Sequence, residues 1–93
     1  MIIKKHETSG SCILAICDNH LLGKTIKEGN KQMEVSKQFY EGKETKEEIL
    51  ASIRDGTIFN IVGDESIKFA LKNNLITKDN IKKIGGVPYA QSF

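Results

Sequence analysis

Ninety-three residues make one domain and leave no room for a second core. With 39% hydrophobic and 28% charged residues and no Trp, the core has to rest on isoleucine with leucine, valine and phenylalanine, under a heavily charged surface. A net charge of +2 neither demands nor excludes nucleic acid. No apolar run approaches the ~20 residues that span a bilayer, and Met1-Ile2-Ile3-Lys4-Lys5-His6 lacks the apolar region and cleavage site of a signal peptide. A cytoplasmic protein without a membrane partner is therefore expected, with Cys12 and Cys17 as free thiols.

In chain order, residues 2–7 read as a first strand, and Thr8-Ser9-Gly10-Ser11 as the turn of a hairpin. Cys12-Ile13-Leu14-Ala15-Ile16-Cys17 is an unbroken apolar run. As a strand it points Cys12, Leu14 and Ile16 one way and Ile13, Ala15 and Cys17 the other, so it belongs in the middle of a sheet covered on both faces. Residues 26–31 read as a polar loop with a Gly29-Asn30 turn. Gln32-Met33-Glu34-Val35-Ser36 alternates as a one-sided strand, and Phe39-Tyr40 anchors the loop that follows.

Thr45-Lys46-Glu47-Glu48 is a capping box, in which Thr45 accepts from the Glu48 amide and Glu48 reaches back to the Thr45 amide. The helix it opens buries Ile49, Leu50 and Ile53 and ends near Asp55-Gly56. Residues 57–62 form a second buried, β-branched strand. Gly63-Asp64 starts a second helix with Ile67, Ala70, Leu71 and Asn74 on one face, its first turn capped by its own Asp64 and Glu65. After a turn at 77–80, Ile81-Lys82-Lys83-Ile84 is a short strand, and residues 85–93 are an extended tail too apolar to be disordered. The tail either docks on its own sheet or adds to a partner through Val87, Pro88, Tyr89 and Phe93, which would make a homo-oligomer. The whole is a single α+β domain over residues 1–93. It is expected to be a small mixed or mostly antiparallel sheet of about 4–5 strands carrying two principal helices.

The chemistry-bearing residues concentrate in Cys17-Asp18-Asn19-His20-Leu21-Leu22-Gly23-Lys24-Thr25, just past the apolar run. His6, Cys12, Cys17 and His20 are zinc-ligand types. But Cys12 and Cys17 lie on opposite faces of one strand, roughly 16 Å apart at ~3.3 Å per residue, so neither a metal site nor a cofactor is expected. Gly23-Lys24-Thr25 imitates the end of a P-loop, but Asp18 stands where the loop's first Gly belongs, and a nucleotide P-loop is excluded. An enzyme reading takes Cys17 as nucleophile, His20 as its base and Asp18 as the group that orients the ring.

Thirteen of the fourteen basic residues are Lys, suited to phosphate rather than to bidentate base reading. Lys24, Lys27, Lys82 and Lys83 are the candidate phosphate contacts. Lys31, Lys78, Lys4 and Lys5 would extend them into a stripe, with Tyr40 or Tyr89 for base stacking.

Five stretches together resemble one small archaeal family, known as domain-of-unknown-function family 424. They are Ala15-Ile16-Cys17-Asp18, Leu21-Leu22-Gly23-Lys24-Thr25, Phe39-Tyr40 followed by Gly42, Asn60-Ile61-Val62-Gly63, and Gly86-Val87-Pro88-Tyr89-Ala90-Gln91. In the family the last motif often carries His where this chain has Tyr89, which argues against a catalytic imidazole in the tail. The resemblance implies an archaeal, cytoplasmic, free-standing domain loosely linked to translation. Joined to the lysines, it makes a non-enzymatic binding module for RNA or a ribonucleoprotein the leading expectation. The Cys17/His20 enzyme and an assembly role through the tail stand as alternatives.

Overall fold

The computed structural model describes residues 1–92, so the expected partner contact at Phe93 lies outside the described residues. The chain runs β1 (Ile2–Thr8), β2 (Ser11–Cys17), β3 (Thr25–Glu28), β4 (Lys31–Glu34), α1 (Lys37–Tyr40), α2 (Lys46–Ser52), β5 (Ile58–Val62), α3 (Asp64–Lys72), β6 (Ile81–Ile84) and β7 (Val87–Ser92). Single 3₁₀ turns stand at Asn19–Leu21 and Lys78–Asn80.

Five strands form a mixed sheet in the order β1-β2-β5-β7-β6, and β3 and β4 form a separate hairpin. Only β2 and β5 are parallel; every other neighbouring pair is antiparallel. The fold is α+β, as expected, and β2, the most apolar stretch, lies inside the sheet. No helix among the described residues is long and apolar enough to cross a membrane.

The strand period of two splits the core in two. Cys12, Leu14 and Ile16 of β2 join Ile3, Phe59, Ile61 and Ala90 on one face, beneath Ile49 of α2 and Ile67 and Ala70 of α3. Ala15 and Cys17 join Val62 on the other face, beneath Leu21, Val35 and Tyr40, with Ile26 and Met33 of the β3–β4 hairpin packed against them. The sheet is therefore the middle of three layers, and the two cysteines sit on its opposite sides. Between α1 and α2 the chain passes from one outer layer to the other across the free edge of β1. It does so at Gly42, where a Cβ would collide with the Ile3 carbonyl oxygen and the Lys4 Cα atom. That crossing closes the β1 edge. Strand β6 forms the other edge, and no described strand pairs with its outer side.

The capping box forms as read: the Thr45 hydroxyl accepts from the Glu48 amide at 3.1 Å and the Glu48 carboxylate from the Thr45 amide at 3.0 Å. These backbone and hydroxyl hydrogen bonds hold the Glu48 carboxyl below the usual carboxylate range. Thr45→Ala is expected to cost about 1 kcal/mol, readable as a lower urea midpoint.

Other elements depart from the sequence reading. Residues 25–28 are strand rather than loop, because the Gly29-Asn30 turn lets them pair with Lys31–Glu34. Strand β4 stops at Glu34, and Val35 is buried beyond it. Phe39 and Tyr40 close a helical turn, α1, whose Ser36 hydroxyl accepts from the Phe39 amide. Helix α2 ends at Ser52, short of Gly56, which instead takes the positive φ of a following turn. Leu50, expected inside, is exposed. Asn74, assigned to the buried face of α3, is exposed at φ 57 just past its end; an Asn tolerates that left-handed stop.

The apolar tail docks on its own sheet, as β7, with β5 on one side and β6 on the other. An interior proline is unusual because it lacks an N–H. Pro88 is tolerated because its imide side faces Gly63, just past the end of β5. The Gly63 amide donates to the Pro88 carbonyl at 2.9 Å, and the Gly63 carbonyl has turned away to accept from Ile67 in the first turn of α3. No ladder acceptor is left waiting for the missing donor.

Candidate functional site

Strands β2 and β5 end side by side, and the chain leaves them in opposite directions, toward the hairpin layer after β2 and into α3 after β5. In α/β sheets such a divergence at the carboxyl ends of parallel strands opens a crevice where ligands bind. Here Asp18 fills it. Its amide donates to the Val62 carbonyl at 3.1 Å, extending the strand pairing by one residue. Its carboxylate turns toward the start of α3 and accepts from the Glu65 amide at 3.1 Å, the Ser66 amide at 2.8 Å and the Ser66 hydroxyl at 2.8 Å. Asp18 is only 2% exposed and Ser66 fully buried.

Gly63 makes room for this arrangement. It sits at φ 110, and any Cβ there would run into the Asp18 carboxyl group. The helix is thus capped in trans, from nearly fifty residues away, and not by Asp64 and Glu65, which are exposed. The preference of a helix N-terminus for an anion is met by the protein's own carboxylate.

The rest of the loop is pinned to Val35: the Gly23 amide donates to the Val35 carbonyl at 2.7 Å, and the Val35 amide to the Lys24 carbonyl at 2.8 Å. This spreads the residues of the enzyme reading in three directions. Cys17 points into the hairpin-side core, Asp18 is committed to α3, and His20 and Lys24 are exposed. Burial, reinforced by the charge of Asp18, pushes the Cys17 thiol up to about 11. A nucleophile needs the reverse. Burial, and then the neighbouring Cys17, also raises Tyr40 to about 12.

The unfolded thiol loses its proton near 9.0 while the folded one keeps it until about 11, so across that window the unfolded chain binds fewer protons. Stability should therefore fall as pH rises from about 9 to 11, and less steeply in Cys17→Ala; urea midpoints check this. Iodoacetamide at about pH 8 should leave both thiols of the native protein unmodified and alkylate both once it is unfolded. Rapid native labelling of Cys17 would restore the enzyme reading.

Two aromatic candidates for base stacking are in unequal positions. Tyr40 is buried, edge-on to Phe39 with ring centroids 5.1 Å apart. Tyr89 is half-buried on β7 and lies directly opposite Lys82 of β6, so the two side chains share the hairpin-side face. Lys83, one residue on, takes the opposite face, and the two lysines straddle the open edge.

The hairpin is seated at the end of that edge, on the β6–β7 turn. The Glu28 carboxylate accepts from the Gly85 amide at 2.8 Å, and a Cβ on Gly85 would come within 2.9 Å of the Lys27 carbonyl. Lys27, Lys82 and Lys83 thereby flank one end of the sheet, although residues 27 and 82 are far apart in sequence. Lys24 lies at the other end of β3, three residues or about 10 Å away. Lys4 and Lys5 are separated from this group on β1, where Lys4 donates to the Gln38 carbonyl at 3.2 Å and Lys5 pairs with Glu7 at 3.2 Å. The stripe expected from the sequence included them, but β1 and β6 are opposite edges of the sheet.

Sequence reasoning missed the role of His6, whose ring stacks on Phe39 at 4.7 Å with Nε2 2.8 Å from the Phe39 carbonyl oxygen. Its position on β1, opposite Ile13, was the available signal.

A solved structure with the same architecture is described as an uncharacterized conserved protein from Methanopyrus kandleri. It is 26% identical, with a TM-score of 0.83 over 98% of this chain and 88% of that one. No curated protein matches the chain. All five stretches that suggested a family fall within the matched region, and over residues 6–93 the chain belongs to the family of proteins of unknown function DUF424.

Proposed function

We propose that this domain is a non-enzymatic binding module of the archaeal cytoplasm. It takes the phosphate backbone of single-stranded RNA, free or within a ribonucleoprotein, along the β6 edge. The observation that supports this reading is the Glu28–Gly85 hydrogen bond, which seats the hairpin on the β6–β7 turn and sets the Lys27 backbone against the turn that follows the strand of Lys82 and Lys83. All three side chains are exposed, and among the described residues none has a carboxylate within ion-pairing distance. Tyr89, beside Lys82, supplies an aromatic surface for an unpaired base, and Lys24 extends the track. Lysine fits this work because a phosphate backbone asks for charge and reach rather than a planar fork.

Anisotropy of a labelled single-stranded RNA tests the reading. Three or four phosphate contacts imply a slope near −0.7 per contact in log–log salt plots, hence a loss of about 20- to 50-fold between 50 and 200 mM salt. Replacing Lys27, Lys82 and Lys83 together by Gln should weaken binding at least about 10-fold and flatten that slope. An absence of binding near 50 mM salt, or a triple variant that binds like the parent, would sink the proposal.

A further inference from the structure

On the far side of the molecule from β6, a cavity of about 370 Å³ opens between the start of β1, the first residue of α2 and the first half of α3. It is lined by Met1, Lys46, Glu65, Lys68 and Phe69. The size falls within the ~300–1,000 Å³ of small-molecule sites. Its position follows from the fold. Glu65, Lys68 and Phe69 recur at the spacing that puts them on one helix face, and Glu65 adjoins Ser66, whose amide is bound by Asp18 at the ends of the parallel strands. The crevice is closed by Asp18, and the cavity lies immediately beside it.

Three chemically different elements meet here. Phe69 offers the face of an aromatic ring, with the Lys46 ammonium 5.8 Å from its centroid. Lys46 and Lys68 are exposed, and neither has a carboxylate within ion-pairing distance among the described residues. Glu65 contributes a carboxylate, an acceptor without a donor of its own when ionised. We infer that this cavity binds a nucleoside monophosphate, independently of the lysine edge. The base would lie on Phe69 in place of the Lys46 ammonium, which frees Lys46 to join Lys68 on the phosphate. Glu65, one turn before Lys68 and Phe69, would accept from the ribose hydroxyls. Two lysines suit a dianion better than a single carboxylate, and the Glu65 charge disfavours a bare polyanion, so ring, hydroxyls and phosphate are all required.

An amide-resolved NMR titration of the full chain with AMP is the test, with adenosine, ribose 5-phosphate, inorganic phosphate and tryptophan as comparison arms. AMP should move the amides of Lys46, Glu65, Lys68 and Phe69 and saturate with a dissociation constant on the order of 0.1–1 mM, fitting for an open site. Adenosine and ribose 5-phosphate should each bind at least about 10-fold more weakly. Both lysines are exposed, so a Lys46→Gln, Lys68→Gln double variant should fold normally, lose at least about 10-fold in AMP affinity and bind adenosine at least as well as the parent, since the ammonium that competes for Phe69 is gone. The inference is overturned by no saturable shift below about 10 mM AMP, by phosphate or tryptophan matching AMP, or by a double variant that binds AMP unchanged. RNA binding at the β6 edge should survive this double variant, so the two proposals fail separately.

Discussion

Ending the chain after Gly86 should abolish the folded domain. The residues lost would include β7, which pairs Tyr89, Ala90, Gln91 and Ser92 with β5 and Val87, Pro88, Tyr89 and Ala90 with β6. Without it β6 has no partner strand, and the sheet ends at β5 with both core layers opened along its side. Ala90 is fully buried against α3 on one face, while Val87 and Tyr89 pack with the hairpin layer on the other. A domain of this size holds about 5–10 kcal/mol in total, and the loss of two strand ladders and part of both cores exceeds it. Circular dichroism should show no cooperative melting transition. The point variant Ala90→Asp, which buries an unpaired carboxylate, should lower the urea midpoint by an amount corresponding to about 3 kcal/mol or more. A truncated chain that melts cooperatively near the parent temperature would show that β7 is dispensable.

How much of this was legible in the sequence depends on how local each cause is. The opposite facing of Cys12 and Cys17, the buried strands and the Thr45–Glu48 capping box all follow from spacings of a few residues, and all are present. The apolar tail was recognisable as ordered. Its insertion between β5 and β6 was not, because strand order depends on pairings across the whole chain. The polar segment 25–28 shows no apolar alternation: only Ile26 faces inward, and its strand state comes from its partner. Among candidate site residues, composition picked out the lysines, but the Glu28–Gly85 contact, which links the segment of Lys27 to the turn after Lys82 and Lys83, spans fifty-seven residues and leaves no local signal. Asp18 was noticed for its neighbours Cys17 and His20, while its partners are forty-seven and forty-eight residues away. Gly63 ahead of an acidic helix start was the one local hint that a cap would come from elsewhere.

That trans cap should also be among the most sensitive points in the molecule. In Asp18→Ala the Glu65 and Ser66 amides and the Ser66 hydroxyl lose their acceptor together, and two of these three donors belong to a buried residue. An expected loss of about 3–5 kcal/mol follows from stranding such donors and removing charge-assisted bonds. Ser66→Ala, which deletes one donor and leaves the acceptor satisfied, should cost only about 1 kcal/mol. Gly63→Ala should be nearly as damaging as the loss of Asp18. The backbone there holds φ 110, and the new Cβ would displace the carboxylate. Because both substitutions break the same contact, a double-mutant cycle should be non-additive: in the Asp18→Ala background Gly63→Ala loses its collision with the carboxylate and keeps only the cost of the φ 110 backbone. The Asp18 carboxylate takes the anion position at the start of α3, and that can be tested directly. In Asp18→Gly the α3 N-terminus is left without its anion, and added phosphate or sulfate should recover part of the stability. A gain of about 1 kcal/mol at anion concentrations several times the dissociation constant is expected, beyond that in the parent protein at the same ionic strength. If Asp18→Ala unfolds within about 0.5 kcal/mol of the parent, the carboxylate does not hold the helix start to the end of β2, and the closure of the crevice must be assigned to other residues.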